Sequence, residues 1–215
     1  MKKKVFSLLA LLLMAATGAW ATDGIAVTKS DVGKVICTDG SIVATVSDAT
    51  AASKTAAAMI AYVDETNKTG LGIALEDVSS DFYTWDNSGS NNGGKTAAEL
   101  CSAWNTSKAV TGGTWQLPSA KDWQYMFIGC GSGESYSDPT DLMEKSYSEL
   151  DSKLGTAGGT ALEIDLYWSS MEYDAGVYAW TLSFGGNYNG FKASFHKTNC
   201  FCSLVWERGR PRPHW

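Results

Sequence analysis

The chain has 215 residues and carries 17 Lys and Arg against 23 Asp and Glu, which gives a formal net charge of −6. A chain this acidic has no broad positive surface for nucleic acid or for an anionic membrane. Its length is enough for one domain with a sizeable hydrophobic core, or for one domain with a small subdomain.

The first 21 residues have the features of a secretory signal peptide. Lysines at Lys2 to Lys4 precede an apolar run from Val5 to Ala16, and a small-x-small pattern ends at Ala21. We expect cleavage after Ala21, leaving about 194 residues (215 minus 21) with a net charge of about −9 once the three lysines are removed. The apolar run is shorter than the roughly 20 residues that span a bilayer. The sequence therefore predicts a secreted, periplasmic or cell-surface protein with no membrane span.

The chain contains five cysteines: Cys37, Cys101, Cys130, Cys200 and Cys202. An exported protein can form disulfides, but an odd count leaves at least one thiol free or paired between molecules. If Cys200 and Cys202 lie on one strand they point the same way, which is a poor geometry for pairing with each other, so each is expected to face a partner elsewhere or to be buried and inert. Because His196 and His214 are isolated and there is no Cys-x-x-Cys pair, no metal and no other cofactor is predicted.

Residues 22–78 are predicted to form a β-rich N-terminal region. Strand-like stretches at 34–37 and 42–46 flank Asp39 and Gly40, and an Asp-Gly pair is a strong hairpin signal.

An alanine-rich stretch from Asp48 to Ala56 follows, and we predict a short helix capped by Ser47 or Asp48. Two more strands are expected at 57–63 and 71–75, with a polar turn between them.

Helices are predicted in the middle of the chain. One begins at Thr96, a second begins at the capping box 119–122, and the longest begins at Asp138-Pro139. Residues 84–94, which precede the first of these helices, are predicted as a loop. Glycines are expected to end the last two helices, Gly129 and Gly131 in one and Gly155, Gly158 and Gly159 in the other.

From Leu166 onward the chain is predicted to be all strand and turn. Large apolar side chains occupy every second position near 178–184, which places them on one face of a strand: Tyr178, Trp180, Leu182 and Phe184. That face is expected to pack on 113–119 and the helix after it. Strands, then helices, then strands predict an α+β domain with a mostly antiparallel sheet.

Three motifs in order resemble a family of bacterial secreted proteins: Trp-Gln-Leu-Pro-Ser-Ala-Lys-Asp-Trp at 115–123, Tyr-Trp-Ser-Ser-Met-Glu at 167–172 and Ala-Trp at 179–180. These are the C-type-lectin-like domains of the Fibrobacter major-paralogue and DUF1566 type, frequent in Bacteroides-like gut bacteria. The resemblance covers nearly the whole mature chain. It implies a C-type-lectin-like fold with two to three helices over 79–206, whose motif tryptophans build the core. The calcium-dependent sugar motifs of animal C-type lectins do not occur, so no calcium site is predicted.

The resemblance also implies where a ligand would bind. In the same fold class, certain proteins carry ligand-binding residues on C-terminal strands, and diversity-generating retroelements mutate their codons at adenines. The segment 187–201 is the equivalent display segment here, and the alternative is an ordinary, freely drifting hairpin. The candidate ligand contacts are Tyr188, Asn189, Phe191, Lys192, Ser194, Phe195, His196, Thr198, Asn199 and Phe201.

No catalytic arrangement is predicted, because Ser169 and Ser170 lack the Gly-x-Ser-x-Gly context and no glycine-rich phosphate loop occurs. The sequence favours a non-enzymatic recognition domain for an unknown protein or glycan. One alternative is a structural or adhesin component of a surface appendage. Another is a relative of the formylglycine-generating enzymes, which hold copper with paired cysteines, although the spacing of Cys200 and Cys202 lacks that family's context.

Residues 207–215 depart from the family pattern. They hold every arginine and two of the four prolines, which indicates either a basic tail or a reading-frame change. Because Pro211 and Pro213 cannot lie in a central strand, the last core strand is expected to end near Val205.

Overall fold

The computed structural model describes residues 25–78, 96–132, 147–162, 166–174, 178–183, 192–193 and 201–207. Within these ranges the protein is α+β, with four α-helices and a six-stranded sheet in which every paired strand is antiparallel. This confirms the predicted class, with three helices in 79–206, where two to three were expected, and a fourth in the N-terminal region. No helix in the described ranges combines the length and the apolar character that crossing a membrane requires.

The strands are β1 (Val35–Cys37), β2 (Ile42–Val43), β3 (Ala56–Asp64), β4 (Thr69–Ala74), β5 (Thr114–Gln116), β6 (Leu166–Asp174), β7 (Tyr178–Ser183), β8 (Lys192–Ala193) and β9 (Ser203–Glu207). The helices are α1 (Val46–Ala51), α2 (Ala97–Ser107), α3 (Ala120–Cys130) and α4 (Tyr147–Ala157), and a 3-10 turn spans Lys29–Asp31. The larger sheet has the order β2-β1-β3-β4-β9-β5, and the smaller one has the order β6-β7-β8. The predicted N-terminal region 22–78 therefore shares a sheet with strands from the rest of the chain.

Both hairpins predicted in the N-terminal region are present. β1 pairs with β2 across a turn in which Gly40 has a φ of +80°, a conformation that glycine adopts without steric cost. β3 pairs with β4, and Asp64 Oδ1 accepts hydrogen bonds from the backbone N–H groups of Thr66 and Asn67, both at 3.0 Å. Short polar turns therefore fix the register of both pairs.

The cap predicted for the first helix is wrong by two or three positions. Thr45, in extended conformation, is the N-cap of α1, and its hydroxyl oxygen accepts a hydrogen bond from Asp48 N at 3.2 Å. Asp48 is therefore the third residue of the helix, where its carboxylate accepts from the Thr45 hydroxyl at 2.7 Å. The helix is consequently shorter than predicted and ends at Ala51.

Only some of the predicted glycine stops end a helix. Gly131 is the left-handed C-cap of α3, with a φ of +112°, and Gly158 follows α4 with a φ of +93°. Gly129 and Gly155 instead lie inside the helices. The predicted helix start at 138–139 lies outside the described residues.

The last strand extends further than predicted. β9 runs to Glu207, and the Trp206 side chain is only 1% exposed. The strand can continue because it lies between β4 and β5, where its backbone pairs on both sides. The tail 208–215 and the predicted loop 84–94 lie outside the described residues.

The motif aromatics form the centre of the core, as the resemblance implies. Trp115 is 2% exposed, and Trp123 and Trp168 are fully buried. Ring centroids lie 6.2 Å apart for Trp123 and Tyr167, and 5.7 Å apart for Tyr167 and Phe201. These separations fall within the range of favourable aromatic pairs.

The prediction that the face of β7 carrying Leu182 and Trp180 is buried is confirmed for Leu182, and Trp180 is partly buried. Leu182 is 4% exposed and pairs with the buried Tyr167, whereas Trp180 is only half-buried. Thr181, on the opposite face of β7, is also only 6% exposed, and its register partner in β6 is the fully buried Trp168. Both faces of the β6–β7 hairpin are therefore buried at Thr181 and Leu182.

Candidate functional site

Two of the sequence motifs meet through one backbone hydrogen bond. Ser170 N, in β6, donates to Pro118 O at 2.9 Å, directly before α3 begins. The next residue, Ser119, caps α3, and its hydroxyl oxygen accepts from Asp122 N at 3.1 Å. Asp122 Oδ2 in return accepts from Ser119 N at 2.8 Å, which completes the predicted capping box. The start of α3 is thus tied to both sheets.

The outer edge of β5 is closed by a side chain of α2. Asn105 Oδ1 accepts from Trp115 N at 2.7 Å, and Asn105 Nδ2 donates to Trp115 O at 2.8 Å. The Trp115 indole N–H donates to Lys108 O at 2.7 Å. The backbone groups of Trp115 that point away from β9 therefore already have partners.

A groove, which we call the α3 groove, lies on the face of the larger sheet beside α3. Its floor is one cross-strand row, because Tyr62 pairs with Leu71, Leu71 with Val205, and Val205 with Thr114. Paired residues in antiparallel strands lie on the same face, and neighbouring strands are about 4.8 Å apart. The row of four residues therefore spans about 14 Å.

The N-terminal half of α3 forms one wall of this groove. Ser119, Asp122 and Tyr125 follow one another at intervals of three residues, which places them on one side of the helix. Two cavities, of about 290 Å³ and 580 Å³, share Asp122 in their linings. The smaller cavity lies at the end with Tyr62 and Tyr125. The larger lies at the end with Asn105, Gln116 and Ser170.

A pair of stacked tyrosines marks the end of the groove at the smaller cavity. The ring centroids of Tyr62 and Tyr125 are 4.8 Å apart, with 17° between the ring planes. Both side chains are half-buried, and Lys121 Nζ lies 5.5 Å from the Tyr125 centroid. Burial raises the pKa of the Tyr62 phenol, and the nearby Asp64 carboxylate raises it further. The Tyr62 phenol is therefore a neutral hydrogen-bonding group near pH 7.

The residues predicted as ligand contacts lie elsewhere. Phe201 is fully buried against Tyr167, so it belongs to the core, and its prediction as a ligand contact is corrected. Its ring centroid lies 5.7 Å from that of the buried Tyr167, and the next residue, Cys202, is held to α2 by a disulfide. Lys192 lies in β8, where its backbone pairs with Ala179. The other predicted contacts lie outside the described residues: Tyr188, Asn189, Phe191, Ser194, Phe195, His196, Thr198 and Asn199.

The cysteines divide into one disulfide and two buried thiols in the described ranges. Cys101 in α2 bonds to Cys202, with 5.4 Å between the Cα atoms. Cys202 therefore faces a partner elsewhere, one of the two alternatives predicted for it. Cys37 and Cys130 are buried free thiols, and burial raises the pKa of Cys130 to about 12, so it is not a reactive thiolate near neutral pH.

None of the groove residues is predicted as a site from the sequence. Tyr62 lies in an apolar strand and Tyr125 in an amphipathic helix, where aromatic residues most often pack in a core. The one local signal is the spacing of Ser119, Asp122 and Tyr125 along one side of a helix. The floor cannot be predicted from local sequence, because it requires the pairing of β9 with β4 and β5.

No protein-family model matches the chain, and no curated protein matches it at a significant level. The described residues also contain no cluster of three or more His, Cys, Asp or Glu side chains that could hold a metal ion. A function has to be inferred from the geometry and chemistry of the chain's own residues.

Proposed function

We propose that this chain is an exported recognition domain with a C-type-lectin-like architecture, which binds a protein or glycan without catalysing a reaction. The observation that carries the proposal is the junction of the motifs. The Ser170–Pro118 hydrogen bond and the buried rings of Trp123 and Tyr167 join two of the motif segments. The third motif is joined to them where Ala179 in β7 pairs with Glu172 in β6. A recognition domain needs a rigid framework that holds a variable ligand-binding surface in place.

The proposed ligand surface is the display segment without its last residue, 187–200, because Phe201 belongs to the core. Its two ends are held by described parts of the molecule: β7 pairs with β6 before it, and Phe201 is fixed in the core after it. Cys202 adds a covalent link to α2 directly beyond the segment. Side chains on a segment anchored at both ends lose less entropy on binding a ligand.

Two experiments test this function. The first is deep sequencing of the 3′ end of the gene from its source population. Substitutions concentrated at adenines in codons 187–201, beside a near-copy template and a reverse transcriptase, are expected for a diversified receptor. An invariant segment would remove the diversification part of the proposal and direct the search to a fixed ligand.

The second experiment presents the chain without its predicted signal peptide to glycan and protein arrays. A variant with Tyr188, Phe191 and Phe195 changed to Ala is expected to lose the strongest signal. A control with Thr106 and Ser107 changed to Ala, on the exposed side of α2, should keep it. Binding unaffected by the display changes would contradict the proposed surface. Assembly into large particles on gel filtration would favour an adhesin subunit.

The copper-enzyme alternative receives no support from the cysteines. It needs Cys200 and Cys202 as a pair of thiols, but Cys202 is bonded to Cys101. A disulfide sulfur is not a thiolate ligand, so such a site would first require reduction of this bond.

A further inference from the structure

We infer that the α3 groove is a second binding site of this protein and that it takes a saccharide. The inference goes beyond the recognition function proposed for the display segment, because it rests on different residues. The lining of the two cavities comes from β3, β4, β5, β9, the segment 117–119, one side of α2, the N-terminal half of α3, and β6. The groove therefore belongs to the framework rather than to the segment proposed to vary.

The tyrosine pair supplies the apolar part of a saccharide site. A pyranose ring has a face of C–H groups that packs on the flat face of an aromatic ring, while its hydroxyls remain at the edges. Tyr62 and Tyr125 hold each other in place by stacking at 4.8 Å, so their order does not have to be created by a ligand. Rings that are already ordered cost little entropy on binding, which favours tyrosine in recognition sites.

Asp122 supplies the polar part at the centre of the groove. The hydrogen bonds that the structure gives its side chain all go to Oδ2, from Ser119 N, Ser119 Oγ and Gln116 Nε2 at 2.8, 2.9 and 3.4 Å. A carboxylate has about four acceptor positions on two oxygens. Oδ1 is therefore available to accept from ligand hydroxyls, and hydrogen bonds to a charged acceptor are the stronger kind.

The shape of the groove also suits an elongated polar ligand. Cavities of about 290 Å³ and 580 Å³ meet at Asp122, above a floor of about 14 Å. These volumes fall near the range of small-molecule sites in proteins. The far end adds the hydroxyls of Ser102 and Ser170 and the amide of Gln116, all of which can bond to neighbouring sugar hydroxyls.

An extended peptide fits the groove less well than a saccharide. A peptide that adds to a sheet needs a free strand edge for its backbone. The floor lies across β4 and β9, which are paired on both sides, and the edge groups of Trp115 are bonded to Asn105. Anionic ligands are disfavoured because Asp64 and Asp122 both line the smaller cavity.

The test begins with the chain lacking its predicted signal peptide on a printed array of plant, mucin and bacterial cell-wall oligosaccharides. The oligosaccharide with the highest signal is then titrated by calorimetry against the wild type and single variants. Tyr125→Ala is expected to weaken binding roughly tenfold, because it removes an aromatic wall of the smaller cavity and the ring that holds Tyr62 in place. Tyr147→Ala, which removes a half-buried tyrosine of α4 outside the groove, is the matched control and should change the affinity less than twofold.

A second measurement uses only the wild type, so it does not depend on whether a variant folds. Tyr62 and Tyr125 are nitrated with tetranitromethane and quantified by peptide mass spectrometry, with and without the same oligosaccharide. The saccharide is expected to protect both tyrosines and to leave Tyr147 unchanged.

Two outcomes would overturn the inference. One is saccharide binding without protection of Tyr62 and Tyr125. The other is a protein that binds no saccharide on the array. In either case the display-segment proposal is judged separately, because its variant changes only Tyr188, Phe191 and Phe195.

Discussion

At the scale of the residue, single side chains decide how closely the elements of this protein approach one another. Gly129 is the clearest case, because it lies inside α3 where that helix crosses β3. A Cβ added there would lie 2.2 Å from Ala61 O and 2.9 Å from Tyr62 Cα. Both neighbours are backbone atoms of a paired strand, so neither can move without disturbing the sheet. A glycine that sequence rules assign to a helix end is therefore required inside the helix.

Gly129→Ala is accordingly expected to destabilise the protein by about 1–3 kcal/mol, because the added methyl group overlaps the backbone of β3. Gly155→Ala is the matched control, since Gly155 also lies inside a helix and a Cβ there meets nothing within 4 Å. The control should gain about 0.5–1 kcal/mol from the better helix propensity of alanine. Urea unfolding of both variants measures the difference. Equal midpoints for the two would show that α3 does not pack on β3 as described.

Asp39 gives a residue-scale prediction about pH. The Ser41 hydroxyl, the Ser41 N–H and Lys54 lower the pKa of this carboxyl from its ordinary value of 3.8 to about 2. A group whose pKa is lower in the folded state stabilises that state above its unfolded pKa, and this contribution is lost as pH falls through the folded value. The side chain is 54% exposed, so solvent screening keeps the effect small.

The wild type should therefore lose more stability than Asp39→Asn as pH falls from about 4 to about 2. At pH 7 the variant should be slightly less stable, because the ion pair with Lys54 is gone. Unfolding midpoints at several pH values measure both effects. Parallel acid profiles for the two proteins would contradict the lowered pKa.

At the scale of the element, α3 connects the core to the α3 groove. Its buried side carries Trp123 and Phe127, whose ring centroids are 6.0 Å apart, and its other side carries Asp122 and Tyr125. Its start is fixed by the capping box at Ser119 and its end by the left-handed Gly131. One helix with fixed ends therefore sets the position of both the core aromatics and the groove wall.

Ser119→Ala is expected to cost about 1 kcal/mol, because Asp122 N loses its side-chain acceptor. Ser119→Thr keeps a hydroxyl at the cap and is the control, with stability close to that of the wild type. Denaturant unfolding gives the free energies, and hydrogen exchange at the first amides of α3 should quicken only in the alanine variant. Unchanged exchange there would mean that the box does not hold the helix start.

At the scale of the whole molecule, the larger sheet joins distant parts of the chain. β9 lies between β4 and β5, so the sheet is complete only when the last described strand has been inserted. The Cys101–Cys202 bond links α2 to the residue directly before β9, across a sequence separation of 101. A cross-link over so long a loop removes much of the freedom of the unfolded chain.

Reduction of this disulfide is expected to lower the free energy of unfolding by roughly 4–5 kcal/mol, following the chain-entropy relation for a loop of this length. The measurement compares urea unfolding with and without reductant. A Cys101→Ser, Cys202→Ser double variant is the control and should not respond to reductant, because two of its three remaining cysteines, Cys37 and Cys130, are buried free thiols and leave Cys200 without a partner in the same chain. A wild type that is insensitive to reductant, or a double variant that is equally sensitive, would contradict the pairing.

The sequence by itself determined the elements whose signals are local. The Asp-Gly hairpin, the β3–β4 hairpin, the helix start at Thr96 and the capping box at Ser119 depend on residues a few positions apart, and all are present. The α+β class also follows from the sequence, because the order of strands and helices along the chain is the predicted one. The motif tryptophans Trp115, Trp123 and Trp168 are buried, as predicted. Local backbone preference and burial of large apolar rings were enough for these predictions.

Only the tertiary structure decided the features that depend on pairing across the chain. The place of β9 between β4 and β5 creates the groove floor, and it also keeps Trp206 buried, although the last core strand was predicted to end near Val205. Residue pairs far apart in sequence decided that Cys202 bonds to Cys101, that Phe201 is in the core, and that Gly129 stays inside α3. The physical reason is that these features depend on close packing between residues that are neighbours in space. Local sequence patterns do not show which distant residues become neighbours.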